Sequence, residues 1–246
     1  MNRRVGNPKR SLIFENKNTR GEEMNNIIPA LDVNRKKAFE LVTQLENVSH
    51  LLAGLKVGFK LLWENTLAVI TDLKEVTDLP IIFDGQKIGT DVPHIVEEQV
   101  DLLAAAGVDQ IIICPLGSGD ATLAAFYDRC KEYDVVPVCV VKMTHPGAER
   151  YLSSDASRLV LQDALEIGIR DFVYPATKPA ILQKHSDDVL RSQKDITIKA
   201  TGFKAQGGSL PQLKRLGVSE FIVGRAVYAS ENPPRAVVEL SKEVNE

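Results

Sequence analysis

Cysteine is scarce in this chain. Cys114, Cys130 and Cys139 are the only three in 246 residues, with no C-x-x-C pair and no Cys/His cluster. They read as buried thiols in a reducing cytosol, so a cytoplasmic protein is expected. Histidine is scarce too, and His50, His94, His145 and His185 show no metal-ligand spacing, so no metal is expected. A basic excess is missing: 30 Lys+Arg against 33 Asp+Glu leave a net charge of −3, which does not indicate a nucleic-acid surface. No apolar run approaches the length of a membrane span, so neither nucleic acid nor membrane is expected as a partner. The opening stretch MNRRVGNPKRSLIFENKNTRGEE is basic and polar without an apolar h-region, so it is not expected to be a secretory signal. Glu15, Glu22 and Glu23 count against a transit peptide. Residues 1–25 are expected to form a poorly ordered or surface-draped extension, with Met24 a conceivable alternative start, and 26–246 the folded unit.

What is present is alternation. Apolar runs rich in β-formers cover 27–33, 55–59, 80–84, 110–115, 135–143, 171–174, 196–200 and 220–223. Between them lie amphipathic stretches such as RKKAFELVTQLENV, LWENTLAVITDLKEV, VPHIVEEQVDLLAAAG and ASRLVLQDALEIG, with apolar spacings of three and four. Continuous apolar strands are expected where helices cover a parallel sheet. Gly107, Gly168 and Gly217 sit where left-handed helix ends belong, and Asn34, Asp91 and Asp120 where N-caps belong. Eight strands alternating with eight helices predict a single (β/α)8 barrel of the α/β class, with a doubly wound open sheet as the alternative.

In a barrel the chemistry gathers where strands end and the following loops begin. Polar residues gather there in this sequence. Asp32 closes the first strand in PALDVN, Lys56 lies within LKVGF, and FDGQKIGTDVP carries Asp84, Lys87 and Asp91. Asp32 also fits a plain turn or cap, and Lys56 a lysine that snorkels to solvent. The acidic–basic–acidic run begins inside an apolar strand, where a carboxylate needs a partner or a task. A lysine between carboxylates stays protonated and acts as a fixed proton donor rather than a nucleophile. THPGAERY, from Thr144, opens a long loop that reads equally as a lid or a connection, and His145 in it reads as structural. Gln206, Gly207 and Gly208 follow the seventh strand, and Gly224 and Arg225 follow the eighth. Those two loops commonly hold phosphate in this fold, with glycine N–H groups and an arginine fork as the donors.

Taken together, PALDV, LKVGF, DGQKIGTDVP, MTHPGAERY, KATGFKAQGG and FIVGRAVYASENPPRA resemble the orotidine 5'-monophosphate decarboxylase family, in its order and over 29–236. The resemblance implies a homodimeric barrel that needs no cofactor and acts on a nucleotide monophosphate. It implies decarboxylation of orotidine 5'-phosphate to uridine 5'-phosphate in pyrimidine synthesis. By the same resemblance Asp32 holds ribose hydroxyls, Lys56 binds ribose and joins a charged network, and Asp84 stands beside the substrate carboxylate. Lys87 protonates C6, and Asp91 enters the neighbouring subunit's site. Thr144 meets the pyrimidine edge, Gln206 bridges base and phosphate, and the phosphate rests on Gly207, Gly208, Gly224 and Arg225.

The sequence departs from the family pattern in four places. D-x-K-x-x-D has become D-x-x-K-x-x-x-D. Thr144 replaces a serine, Ile95 replaces a threonine, and Thr201 and Lys204 replace proline and glycine before QGG. Lys204 is expected to add a phosphate contact, so Lys204→Ala weakens uridine 5'-phosphate binding; unchanged affinity would contradict this. The stretched spacing predicts a β-bulge near Gly85–Gln86 that turns Asp84 and Lys87 to one spot and leaves Gln86 facing away. Two alternatives remain: a magnesium-dependent sugar-phosphate aldolase or decarboxylase of the same superfamily, and a nucleotide-binding paralogue that has lost the chemistry.

Overall fold

The structure, a computed structural model, describes residues 26–86, 88–145, 147–203 and 210–245. β1 (Asn26–Pro29) leads to α1 (Arg35–Leu45), and β2 (Leu55–Gly58) to α2 (Phe59–Asn65) and α3 (Ala68–Val76). β3 (Ile81–Gly85) leads to α4 (Pro93–Ala106), and β4 (Gln110–Ile113) to α5 (Gly119–Glu132). β5 (Val136–Val140) is followed by α6 (Ala148–Tyr151) and α7 (Ser154–Ile167), and β6 (Asp171–Pro175) by α8 (Pro179–Asp188). β7 (Thr197–Thr201) precedes α9 (Leu210–Arg215), and β8 (Val218–Val223) precedes α10 (Arg225–Tyr228) and α11 (Pro233–Asn245).

The strands run in the order β1-β8-β7-β6-β5-β4-β3-β2, and every ladder is parallel. The two ends of that order meet. The Leu31 N–H donates to the Lys56 carbonyl at 2.8 Å and the Ala53 N–H to the Ile27 carbonyl at 3.1 Å. These bonds close the sheet into a (β/α)8 barrel and remove the open-sheet alternative.

Strand alternation divides the apolar residues into two cores. Ile28, Ala30, Ile82, Ile112, Val138, Val140, Val173 and Ile222 fill the barrel interior. Ile27, Leu55, Val57, Phe83, Ile111, Phe172, Phe221 and Val223 face outward into the helices. Burial on both faces is why the strands read as unbroken apolar runs. In α1 the Asn34 side chain accepts from the Lys37 N–H at 2.9 Å, and Ala38, Leu41, Val42 and Leu45 form the buried stripe. Burying one such leucine contributes about 1.5–3 kcal/mol.

Several expectations are corrected. The predicted second helix is broken at Thr66, whose φ is 59°. The Asn65 side chain donates to the Leu61 carbonyl at 2.9 Å and ends α2 there. Strict one-to-one alternation therefore fails, and the loops after β5 and β8 also carry a short helix each. Asp91 is not the N-cap of α4: Pro93 sets the first turn, Val92 takes the cap position, and Asp91 Oδ1 accepts the Val92 N–H at 2.8 Å. Asp120 lies inside the first turn of α5 rather than before it. Gly107, Gly168 and Gly217 all have positive φ at or just beyond helix ends, as expected.

Candidate active site

The C-terminal ends of β1, β2 and β3 converge on a cleft of about 490 Å³ lined by Asp32, Lys56, Gly58, Phe59, Trp63, Asp84 and Gln86. Its centre is an ion pair. Lys56 Nζ donates to Asp84 Oδ2 at 2.6 Å and lies 3.5 Å from Asp32 Oδ1. The Lys56 and Asp84 side chains are 9% and 13% exposed, against 43% for Asp32. The snorkelling alternative for Lys56 is thereby removed, because its ammonium is turned inward to a carboxylate. Burial alone would lower the pKa of that ammonium. Asp84, and after it Asp32, more than offset the burial, so Lys56 is held above the ordinary lysine value of 10.5. Gly58 leaves room for the group, since a Cβ there would stand 3.3 Å from Asp32 Oδ1.

Asp84 has a second distinctive feature. Its Oδ1 is buried and finds no hydrogen-bond donor among the described residues. A buried carboxylate oxygen in that state is costly and calls for a donor.

The expected bulge is absent. Asp84 pairs with Ile112 and Gly85 with Ile113 in unbroken register. The extra residues are taken up beyond the strand, in a turn closed by the Ile88 N–H to the Gly85 carbonyl at 2.8 Å. Glycine is needed at Gly85 for space: a Cβ there would meet the Ile88 side chain at 2.8 Å and the Ile112 carbonyl at 2.9 Å. At Gly89 the reason is conformational as well, with φ at 75° and Ile113 only 2.9 Å from a Cβ. With the ladder regular, Gln86 lines the cleft instead of facing away. Lys87 lies outside the described residues.

The other expected residues are distributed as follows. Asp91 is exposed and does not line this cleft; its carbonyl accepts from the Thr122 hydroxyl at 2.9 Å. Thr144 is half-buried and His145 exposed, and the loop they open is not a bare connection. It carries α6, and the buried Lys142 ammonium ties it down by donating to the Leu152 carbonyl. Gly224 follows β8, and a Cβ on it would come within 4.0 Å of Asp32 Oδ2, so the β8 loop adjoins the cleft. Arg225 is exposed at the start of α10. Lys204, Gln206, Gly207 and Gly208, like the extension 1–25, lie outside the described residues.

Sequence reasoning missed the aromatic wall. Phe59 stacks on Trp63 at 5.9 Å and meets Phe83 edge-on at 5.5 Å. Trp63 is 82% exposed at the cleft mouth. A large exposed aromatic beside LKVGF was the available signal. Among the described residues no group of three or more His, Cys, Asp or Glu is arranged to hold a metal ion.

Comparison with known proteins now places the chain. The model of the "Orotidine 5'-phosphate decarboxylase / HUMPS family" matches residues 25–240. The orotidine 5'-phosphate decarboxylase of Thermococcus kodakarensis is 32% identical over 225 residues, 91% of this chain and 99% of that protein. That of Pyrococcus furiosus is 31% identical over 221 residues, 89% of this chain and 98% of that protein. The crystal structure of the Pyrococcus horikoshii enzyme of that name superposes with a TM-score of 0.76 at 27% identity, covering 89% of this chain and 99% of that one. From its first strand to its last helix, the chain belongs to the orotidine 5'-phosphate decarboxylase / HUMPS family.

Proposed function

We infer that the chain decarboxylates orotidine 5'-phosphate to uridine 5'-phosphate without a cofactor, as a step of pyrimidine-nucleotide synthesis. One observation carries the mechanism: a buried Lys56–Asp84 pair whose second carboxylate oxygen has no donor among the described residues. Asp84 stands beside the C6 carboxylate of the substrate. The C6–carboxyl bond breaks, carbon dioxide leaves, and the electron pair stays on C6. Lys87, the next cation along the chain, stabilises that charge and transfers a proton to C6. The repulsion between Asp84 and the leaving carboxylate favours departure, in the manner of ground-state destabilisation. Lys56 remains charged, orients Asp84, and with Asp32 holds the ribose. Thr144 contacts the base. Gln206, Gly207, Gly208, Gly224 and Arg225 hold the phosphate, whose remote binding energy orders the site.

The same reading makes the protein a cytoplasmic homodimer. Asp91, exposed and off its own cleft, is free to complete the site of a second copy. The magnesium-dependent alternative needs additional acidic ligands, and the names of the relatives do not favour it.

Lys56→Ala tests this arrangement. It leaves Asp84 without its ammonium and is expected to lower kcat/KM by about 10²–10³-fold, the usual cost of removing one preorganised electrostatic group. Steady-state kinetics checks it, and activity within a few-fold of wild type contradicts it. Because the pKa of Lys56 is raised, its charge is present throughout the range below 10.5. The wild-type rate should therefore show no alkaline decline from this group below that pH.

A further inference from the structure

The regular register of β3 determines which side chain follows Asp84 into the barrel mouth. Ile82 belongs to the interior core and Phe83 to the outer one, so Asp84 faces inward. The ladder stays in register through Gly85. Residues two apart share a face, so the next inward position belongs to Gln86. In the D-x-K spacing of the family pattern, that is the position of the lysine.

Gln86 lines the cleft beside Asp32, Lys56 and Asp84, and it is the one side-chain amide in that lining. No other described residue forms a hydrogen bond with its amide. Lys56 is already committed to Asp84 at 2.6 Å and Asp32 at 3.5 Å. A substrate carboxylate placed beside Asp84 therefore meets an anion, and it needs a donor that is not already engaged. The amide Nε2 of Gln86 is such a donor.

We propose that Gln86 recognises the C6 carboxylate of the substrate, donating its amide N–H to a carboxylate oxygen. This rests on the decarboxylase reading. The bond is charge-assisted, is held from the bound substrate into the transition state, and is lost only when neutral carbon dioxide departs. It therefore strengthens binding of substrate and transition state about equally, lowering KM with little effect on kcat, and it discriminates substrate from product, which lacks the carboxylate.

The test compares wild type, Gln86→Ala and Gln86→Glu. The readouts are kcat, KM for orotidine 5'-phosphate, and Ki for uridine 5'-phosphate. For Gln86→Ala, KM should rise about 10–100-fold, the worth of one hydrogen bond to a charged group. Its kcat should stay within about three-fold and its product Ki within about two-fold, the pattern of lost substrate binding alone. Gln86→Glu keeps the shape but sets an anion against the carboxylate. Its KM should exceed that of Gln86→Ala at neutral pH and fall towards wild type as acid restores a protonated donor. A purely structural role would not produce that pH recovery. An unchanged KM in Gln86→Ala, or equal weakening of substrate and product, overturns the proposal. A wild type that does not turn over defeats the decarboxylase reading instead. In that case calorimetric affinities for the same two nucleotides decide, and a preference that Gln86→Ala leaves unaltered overturns the role of Gln86.

Discussion

Replacing Lys87 by alanine is expected to lower kcat/KM for orotidine 5'-phosphate by about 10⁴-fold or more, because one side chain supplies two effects. General-acid transfer contributes about 10²–10⁴-fold, and a preorganised charge beside a developing carbanion about 10²–10³-fold. Loss of carbon dioxide leaves an electron pair at C6 that the ring cannot readily delocalise, so both effects act at the same atom. Lys56 cannot substitute, since it is engaged by Asp84 and Asp32. The loss should fall on kcat, while uridine 5'-phosphate binding stays within about ten-fold, because the interaction with C6 strengthens in the transition state. Lys87→Arg should not restore the rate: a guanidinium keeps its proton too tightly to donate it. Single-turnover kinetics checks the size of the effect, and a Lys87→Ala rate within ten-fold of wild type would sink the assigned proton donor.

The second large effect is on stability, at the opposite end of the barrel. Lys199 is buried inside the barrel and donates to Asp171 at 2.8 Å and Glu220 at 2.6 Å. Its side chain is 1% exposed, and the two carboxylates are 18% and 17% exposed. Burial would lower the pKa of this ammonium, but Glu220 and then Asp171 more than offset it, so the net shift is upward. A raised folded pKa means that its stabilising contribution is fully present below the ordinary value of 10.5 and is lost as pH rises through the folded value. Lys199→Met would leave two carboxylates facing each other in the barrel interior. The expected cost at neutral pH is about 3–5 kcal/mol, as when one partner of a buried ion cluster is removed. For a domain of this size that is a melting temperature lower by roughly 6–20 °C, at about 2–4 °C per kcal/mol. The like-charged pair raises a carboxylate pKa in the folded variant, so the deficit should shrink as pH falls towards 5. Replacing all three residues by apolar ones should restore most of the loss, since a well-packed apolar substitute for a buried ion cluster is often neutral or better. Thermal melts at two pH values check both signs, and a variant that melts with wild type contradicts the account.

The fold was legible because strands buried on both faces leave unbroken apolar runs, and all eight strands lie where such runs were read. Closure was not legible. It depends on backbone bonds from Leu31 and Ala53, which no side-chain pattern encodes. Strand ends were overread at 30–33 and 141–143 because inward residues of the barrel mouth are also apolar or amphipathic. The Lys56–Asp84 meeting was anticipated only as a family role; the structure supplies the pair and its geometry. Lys199 went unnoticed in TIKAT because its partners are 28 and 21 residues away and become neighbours only through strand register. The spacing in FDGQKIGTDVP was correctly read as abnormal but resolved the wrong way. A bulge would have kept Gln86 outside, whereas the tight Gly85–Ile88 turn leaves the ladder intact and brings Gln86 to the cleft. Sequence alone cannot choose between these, because Gly85 permits both.

The most direct measurement is turnover itself. Purified protein would be mixed with orotidine 5'-phosphate in excess EDTA, and loss of the substrate's pyrimidine absorbance followed together with carbon dioxide release. The account predicts full conversion to uridine 5'-phosphate, one carbon dioxide per substrate, at a rate that EDTA leaves unchanged. Folded protein that binds uridine 5'-phosphate yet leaves orotidine 5'-phosphate intact would contradict it.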